Sequence, residues 1–213
     1  MKHPDDLRHY CRMLVSAPLS ITSVRDPDAA WSLHVLDSLT AQTLIERLAP
    51  DRLLDVGSGG GSPGVPLAIE LGLPVTLVEA TSTKAGFLRA VARDLAIECD
   101  VIDQRSEEFA RAGGRDAFPL AVSRALAPPP VAIELCLPLV AVGGSLILWL
   151  TRPDRAALEP VARALAGTVE DVLETAGGRH LLHLRKLGQT PERFPRRPGV
   201  AGRRPLRPLA SGA

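Results

Sequence analysis

The sequence has few aromatic residues, few cysteines and almost no net charge, and each shortage excludes something. Phe, Trp and Tyr together make up 3% of the 213 residues, so the core has to be built from Leu, Val, Ala and Ile. The three cysteines, Cys11, Cys99 and Cys136, are far apart and match no metal-ligand spacing. An odd number of cysteines favours a reducing compartment, and we expect a cytoplasmic protein. The net charge of +1 indicates no particular partner.

The sequence also lacks a convincing membrane segment. Residues 1–10 have no apolar stretch of the kind found in signal peptides. Residues 131–150 are apolar and carry a single charge, Glu134. Pro138 and Gly143-Gly144 divide this stretch into a helix, a turn and a strand, so we expect no membrane association.

The chain is organised around residues 52–64, RLLDVGSGGGSPG. A short apolar run that contains Asp55 predicts a strand, and residues 65–72 predict a helix. Between them, glycines occur at alternate positions, namely Gly57, Gly59 and Gly61. A strand that passes through a glycine turn into a helix is typical of a nucleotide-binding unit, because glycine lets the backbone approach a ligand. A glycine loop without a ligand is the alternative.

The spacing of these glycines favours one kind of nucleotide site. A dinucleotide fingerprint has glycine at its sixth position, where this chain has Ser62, and no Gly-Lys-Ser/Thr ending of a phosphate loop follows. The pattern D-x-G-x-G-x-G instead resembles motif I of the class I S-adenosylmethionine methyltransferases. Glu79 ends a second β-rich run about 20 residues further on, where a carboxylate can accept hydrogen bonds from ribose hydroxyls. A solvated carboxylate at a strand end is the alternative for Glu79.

The order of the predicted elements indicates a single domain over residues 1–213, with three parts. Residues 1–50 have helical periodicity and are expected to form a helical cap. Residues 51–187 alternate between strand and helix patterns, which predicts a parallel sheet covered by helices on both faces. A hairpin divided by Gly177-Gly178 closes this core and suits one antiparallel strand. Residues 188–213 form a basic tail.

The tail combines arginine with proline. Its two arginine pairs are Arg196-Arg197 and Arg203-Arg204, and the prolines around them are expected to prevent a regular helix. Such a segment is a poor core and a good binder of phosphate, so it predicts contact with nucleic acid. A disordered tail that only improves solubility is the alternative.

Several separate stretches resemble one family, the glucose-inhibited division protein B family of bacterial methyltransferases that modify guanine N7 in 16S ribosomal RNA. These stretches are HVLDSL at 34–39, LLDVGSGGGSPGVPLAI at 53–69, KAGFLRAV at 84–91, RSEEF at 105–109, VSRALA at 122–127 and TPERFPRRPGVAGRRPL at 190–206. The resemblance implies an α/β fold of the class I methyltransferase (Rossmann-like) type. It implies a mostly parallel, seven-stranded sheet with an N-terminal helical cap.

The resemblance also implies a set of site residues. Gly57 and Ser62 would hold the methyl donor, S-adenosylmethionine, with Ser106 and Glu107 beside its adenine. Arg124 would lie near donor and target and is the candidate catalytic residue. Asp55, Gly59, Gly61 and Glu79 complete the expected cofactor site, and Arg196, Arg197, Arg203 and Arg204 the expected RNA-binding site. The expected partner is 16S ribosomal RNA in the small subunit, bound by a monomer that uses no metal.

Methylation of guanine N7 explains what else is missing from the sequence. N7 carries a lone pair and no proton, so neither a general base nor a metal constellation is needed. Two other classes remain open: a methyltransferase for another RNA, a small molecule or a protein, and a binding module for RNA without catalysis. A small-molecule enzyme has no need of the basic tail. A pure RNA-binding module would be hindered by Asp55 and Glu79 near phosphates.

Overall fold

A computed structural model describes residues 1–18 and 21–206 of the chain. The chain divides into two compact units, Met1–Gln104 and a second one that begins at Arg105. The expectation of a single domain over residues 1–213 stays a prediction, and so do the boundaries of its three parts.

The first unit begins with helices and continues as alternating strands and helices. Its helical segments are α1 (Pro4–Ser16), α2 (Pro27–Ala30), a π-helical segment (Trp31–Leu36), α3 (Asp37–Leu39), α4 (Gln42–Leu48), α5 (Gly64–Leu71) and α6 (Ser82–Asp94). Its strands are β1 (Leu53–Val56), β2 (Val75–Val78) and β3 (Cys99–Ile102). The helices predicted for the first fifty residues are therefore confirmed in the described part of that stretch.

Helix α1 forms where its sequence pattern predicts. Pro4 occupies the start of the helix, where its missing N–H costs nothing, and Asp5 and Asp6 place negative charge in the first turn. Its buried residues recur at helical spacing, namely Leu7, Tyr10, Cys11 and Leu14. One face of α1 is therefore part of the core of the first unit.

The strands of the first unit are parallel and short. β2 pairs with β1 on one side and with β3 on the other. All four residues of β1 are buried, including Asp55. A buried, nearly continuous apolar run is the pattern expected for a parallel strand covered on both faces.

The second unit contains the remaining elements. Its helical segments are α7 (Ser106–Phe109), a π-helical segment (Ala110–Gly114), α8 (Pro129–Cys136), a 3-10 turn (Leu137–Leu139), α9 (Arg155–Ala164) and α10 (Val200–Arg203). Its strands are β4 (Phe118–Arg124), β5 (Val140–Leu150), β6 (Gly167–Glu174) and β7 (His180–Lys186). β4 and β5 are parallel, and β7 runs antiparallel to both β5 and β6.

The seven-stranded sheet has the order β3-β2-β1-β4-β5-β7-β6. The α/β class and the mostly parallel, seven-stranded sheet are confirmed, and so is the closing hairpin. The sheet is mixed because β7 lies antiparallel between β5 and β6.

Two local predictions are wrong. Gly143-Gly144 is not a turn before a strand but lies inside β5, where the pairing with β4 shifts between Phe118 and Leu120. Gly143 has φ +82°, and a Cβ on Gly144 would lie 2.7 Å from the carbonyl oxygen of Pro119, so the two glycines permit a bulge. The expectation that the prolines of the tail prevent a regular helix is also wrong, because Val200–Arg203 form the short helix α10 between Pro198 and Pro205.

The apolar stretch at residues 131–150 is divided between α8, the 3-10 turn and β5. Within residues 1–18 and 21–206, no helix has the length and apolar character required to cross a bilayer.

Candidate functional site

The glycine loop joins β1 to α5 and is held against the end of β2. The N–H groups of Gly57 and Ser58 both donate to the carbonyl oxygen of Val78, at 2.8 and 3.1 Å. Gly61 N–H donates to the carbonyl oxygen of Ser58 at 2.7 Å. Gly57, Gly59 and Gly61 have φ values of +73°, +57° and +106°, which other residues adopt only with strain. The alternate glycines are therefore required by the backbone path of the loop.

Asp55 fixes the start of α5. Its side chain is fully buried, and its Oδ2 accepts the N–H of Gly64 at 2.9 Å. A Cβ on Gly64 would lie 2.7 Å from both Cβ and Oδ2 of Asp55, so this residue has to be glycine. Through this contact Asp55 shapes the loop from within, and its role in cofactor binding stays a prediction.

Glu79 follows β2 directly, and backbone donors orient its carboxylate. Oε2 accepts the N–H of Gly59 at 2.9 Å, and Oε1 accepts the N–H of Thr81 at 2.8 Å. A carboxylate has about four acceptor positions, so each oxygen retains capacity for a further hydrogen bond. The structure thereby brings together two of the predicted site residues, Glu79 and Gly59.

The Ser62 side chain is directed into the protein. Its hydroxyl lies 2.8 Å from the hydroxyl of Tyr10 and 3.2 Å from Nδ1 of His34. Tyr10 also donates to the carbonyl oxygen of Gly60 at 3.0 Å. The sequence did not identify Tyr10 as a site residue. The available signal was a lone tyrosine on the buried face of α1, because a buried tyrosine hydroxyl usually needs a partner.

Ser106 and Glu107 belong to the second unit, at the start of α7. Both are buried, and the Ser106 hydroxyl lies 3.4 Å from Oε2 of Glu107. Oε1 of Glu107 accepts the N–H of Gly199 in the tail at 3.1 Å. Glu107 therefore anchors the tail, and its expected place beside adenine stays a prediction.

Arg124 is the last residue of β4, where it pairs with Trp149 of β5. It is half-buried, and Ala125 directly after it has a positive φ of +56°. This is the carboxyl end of the strand, the location predicted from the sequence. The catalytic role of Arg124 stays a prediction.

The tail is packed rather than extended from the surface. Thr190, Phe194 and Ala201 are buried, and the tail includes the short helix α10. Arg115 donates to the carbonyl oxygens of Thr190 and Phe194, and Arg111 donates to that of Pro195 at 2.9 Å. The part of the tail that the structure describes is thus built into the second unit.

The four tail arginines have different environments. Arg196 forms a two-pronged ion pair with Glu134, whose side chain is 1% exposed. The hydrogen bond with Glu134 raises the pKa of Arg196 above its ordinary value. Arg197, Arg203 and Arg204 are exposed. Arg207 and Pro208, which also belong to the basic tail, lie outside the described residues.

A second ion pair, between the buried Lys186 and the half-buried Asp116, holds the base of the tail. Lys186 Nζ lies 2.9 Å from Oδ1 of Asp116, and that oxygen also accepts the hydroxyl of Thr190 at 2.7 Å. Burial lowers the pKa of Lys186, and the nearby Asp116 carboxylate only partly opposes this. Burial would raise the pKa of Asp116, but hydrogen bonds from Thr190 and Lys186 hold it below its ordinary value. Asp116 and Thr190 thus form one polar cluster around the buried Lys186 ammonium group.

Solved structures place the fold in a known class. A 1,6-didemethyltoxoflavin-N1-methyltransferase from Burkholderia thailandensis has a TM-score of 0.57 at 17% identity, over 84% of this chain and 90% of that chain. With the sheet order and the loop after β1, this defines a class I methyltransferase fold.

The sequence comparisons identify the family. A family model described as rRNA small subunit methyltransferase G matches residues 4–172. Ribosomal RNA small subunit methyltransferase G from Rubrobacter xylanophilus is 37% identical over 88% of this chain and 77% of its own. The protein of that name from Sorangium cellulosum is 40% identical over 84% of this chain and 77% of its own. The chain belongs to this family of methyltransferases, which confirms the resemblance found in its sequence.

Proposed function

We propose that this protein transfers the methyl group of S-adenosylmethionine to N7 of a guanine in 16S ribosomal RNA of the small subunit. One observation carries the proposal. In a chain of the rRNA small subunit methyltransferase G family, a carboxylate at the end of β2 is oriented against a glycine loop at the end of β1.

The residues of the first unit fit a methyl donor. Glu79 has acceptor capacity left on both carboxylate oxygens, which suits the two hydroxyls of a ribose. A Cβ on Gly59 would meet no protein atom closer than the carbonyl oxygen of Gly57 at 4.0 Å. The loop therefore has open space at Gly59, where a ligand can approach the backbone. Glu79 and Gly57–Gly61 would hold the donor.

The chemistry requires positioning more than proton transfer. The donor supplies an electrophilic methyl group on a sulfonium, and guanine N7 attacks with its lone pair. Holding two reactants in line is the main contribution of the protein. A donor hydrogen bond from Arg124 to N7 would block attack, so Arg124 would orient the guanine through O6 or a phosphate.

The exposed tail arginines are the proposed RNA contacts. Arg197, Arg203 and Arg204 present guanidinium groups on the surface of the second unit, and Arg196 stands apart because Glu134 holds it. Arginine next to arginine on a fixed backbone is suited to neighbouring phosphates. The tail would therefore contact the phosphate backbone of the RNA and would not distinguish one base from another.

The decisive experiment is methyl transfer from labelled S-adenosylmethionine to naked 16S RNA, isolated small subunits and whole ribosomes, with the modified base mapped. We expect label on N7 of one guanine of 16S RNA. Label on another RNA, on a protein or on no macromolecule would refute the substrate assignment. Metal independence, the monomeric state and the cytoplasmic location stay predictions, which activity with a chelator, sedimentation and cell fractionation would test.

A further inference from the structure

Tyr10 connects the N-terminal helix to the glycine loop of the first unit. Its ring is fully buried on the face of α1, and its hydroxyl reaches two atoms of residues 60–62. A Cβ on Gly61 would lie only 3.2 Å from that hydroxyl, so the loop and the tyrosine are in close contact. Gly60 and Ser62, which the hydroxyl contacts, lie on the same short loop.

One arrangement of the hydrogen atoms satisfies all of these contacts at once. The Gly60 carbonyl can only accept, so the single hydroxyl hydrogen of Tyr10 goes to it. Ser62 must therefore donate to Tyr10, which leaves Ser62 as the acceptor from Nδ1–H of His34. The carbonyl oxygen of His34 is a poor competitor, because it lies 3.4 Å from Ser62 and already accepts the hydroxyl of Ser38 at 2.7 Å.

We propose that Tyr10 is a positioning residue for the methyl donor: the chain from His34 through Ser62 and Tyr10 to Gly60 fixes the loop in its binding conformation. This inference rests on the proposed function. The helical segments before β1 thus help to build the donor site, because Tyr10 belongs to α1 and His34 to the π-helical segment. Tyr10 itself acts through the backbone at Gly60 and the side chain of Ser62.

Donor binding by calorimetry and initial rates test this role with Tyr10→Phe, which keeps the ring and removes the hydroxyl. We expect about ten-fold weaker donor binding and a correspondingly higher KM for the donor, because the buried Ser62 hydroxyl and the half-buried Gly60 carbonyl both lose a hydrogen bond. The kcat at saturating donor and RNA should stay within about two-fold, since the attack geometry is restored once the donor is bound.

Leu7→Val is the matched control. Leu7 lies on the same buried face of α1, and its substitution lowers stability without removing a polar contact. We expect it to bind the donor like the wild type. Unchanged affinity in Tyr10→Phe, or equal losses in both variants, would overturn the positioning role and leave the proposed function intact. Failure of the wild type to bind the donor would overturn both.

A second test works through Ser62. Tyr10→Phe and Ser62→Ala remove the same hydrogen bond, so their effects on donor affinity should combine to less than the sum. Hydrogen exchange without donor should become faster at the amides of residues 57–62 in either variant and not in Leu7→Val. Additive effects together with unchanged exchange would show that Tyr10 does not act through the loop.

Discussion

A substitution at Gly59 can distinguish an effect on ligand binding from an effect on folding. The φ of +57° at Gly59 makes any side chain strained by about 1–2 kcal/mol, but open space surrounds the added Cβ. We expect Gly59→Leu to remain folded and to lose donor binding in calorimetry. Gly72→Leu is the matched control, because Gly72 has a similar φ of +66° with nothing within 4 Å, at the end of α5. It should lose similar stability and keep donor binding; loss of binding in both would remove the argument for Gly59.

A substitution of Arg124, the last residue of β4, tests whether this end of the strand takes part in the reaction. We expect Arg124→Ala to reduce turnover about a hundred-fold, the size of effect found when one positioned hydrogen-bond donor is removed from an active site. The free energy of unfolding should change by about 1 kcal/mol or less, because the residue is only half-buried. Initial rates and urea titrations measure the two quantities. Unchanged turnover would reduce Arg124 to a surface ion-pair partner.

Loss of the ion pair between Glu134 and Arg196 should lower the free energy of unfolding. Arg196→Gln leaves a buried carboxylate without its cation, and we expect a cost of about 3 kcal/mol in urea unfolding. Adding Glu134→Gln removes the stranded charge, so the double variant should recover part of that loss. A double variant less stable than Arg196→Gln would contradict this account.

The basic tail, as an element, is expected to carry the salt dependence of RNA binding. Replacing Arg197, Arg203 and Arg204 together by Gln should flatten the slope of log affinity against log salt by about 2–3 units if each contacts one phosphate. Affinity for the methyl donor should be nearly unchanged, because the triple variant leaves Glu79 and the glycine loop untouched. RNA titrations at several salt concentrations beside donor calorimetry provide the measurement. An unchanged salt slope would leave these arginines without a role in RNA binding.

Strands and the glycine loop could be predicted from the sequence because their signals are local. The runs at β1 and β2 are apolar, short and followed by acidic or glycine residues, and the structure places the strands there.

Tyr10 was missed because its partners lie 50 and 52 residues away. Packing of the tail was missed because arginine and proline suggest exposure. One signal existed: Glu134 is the only charge within residues 131–150, and a buried acid requires a cation.

Stability of the whole molecule should fall in acid. Hydrogen bonds hold the pKa values of Glu70, Asp116 and Glu159 below their ordinary values although burial opposes this. A carboxyl with a lowered pKa in the folded state contributes stability above its unfolded pKa of about 4. That contribution is lost as the pH falls through the folded-state pKa, because the unfolded chain then binds more protons.

Asp116→Asn tests the contribution of one of these three carboxyl groups to the acid sensitivity. At pH 7 the variant leaves Lys186 without its counter-charge and should be about 3 kcal/mol less stable in urea. As the pH falls from the unfolded pKa of about 4 through the lower folded-state pKa, the wild-type carboxyl loses this contribution, so the difference between the two proteins should shrink. A difference that stays constant from pH 7 to pH 3 would exclude Asp116 as a source of the acid sensitivity.

The attachments of the tail also set an order for biosynthesis. Glu107, Asp116 and Glu134 leave the ribosome before Gly199, Thr190 and Arg196, the residues that satisfy them. In the nascent second unit, Asp116, Glu134 and Glu107 therefore gain these tail partners only after translation has passed residues 190, 196 and 199, respectively. The glycine loop has its partners within residues 10–79 and can assemble much earlier. During synthesis, the glycine loop can therefore form while the segment proposed to bind RNA is still being translated.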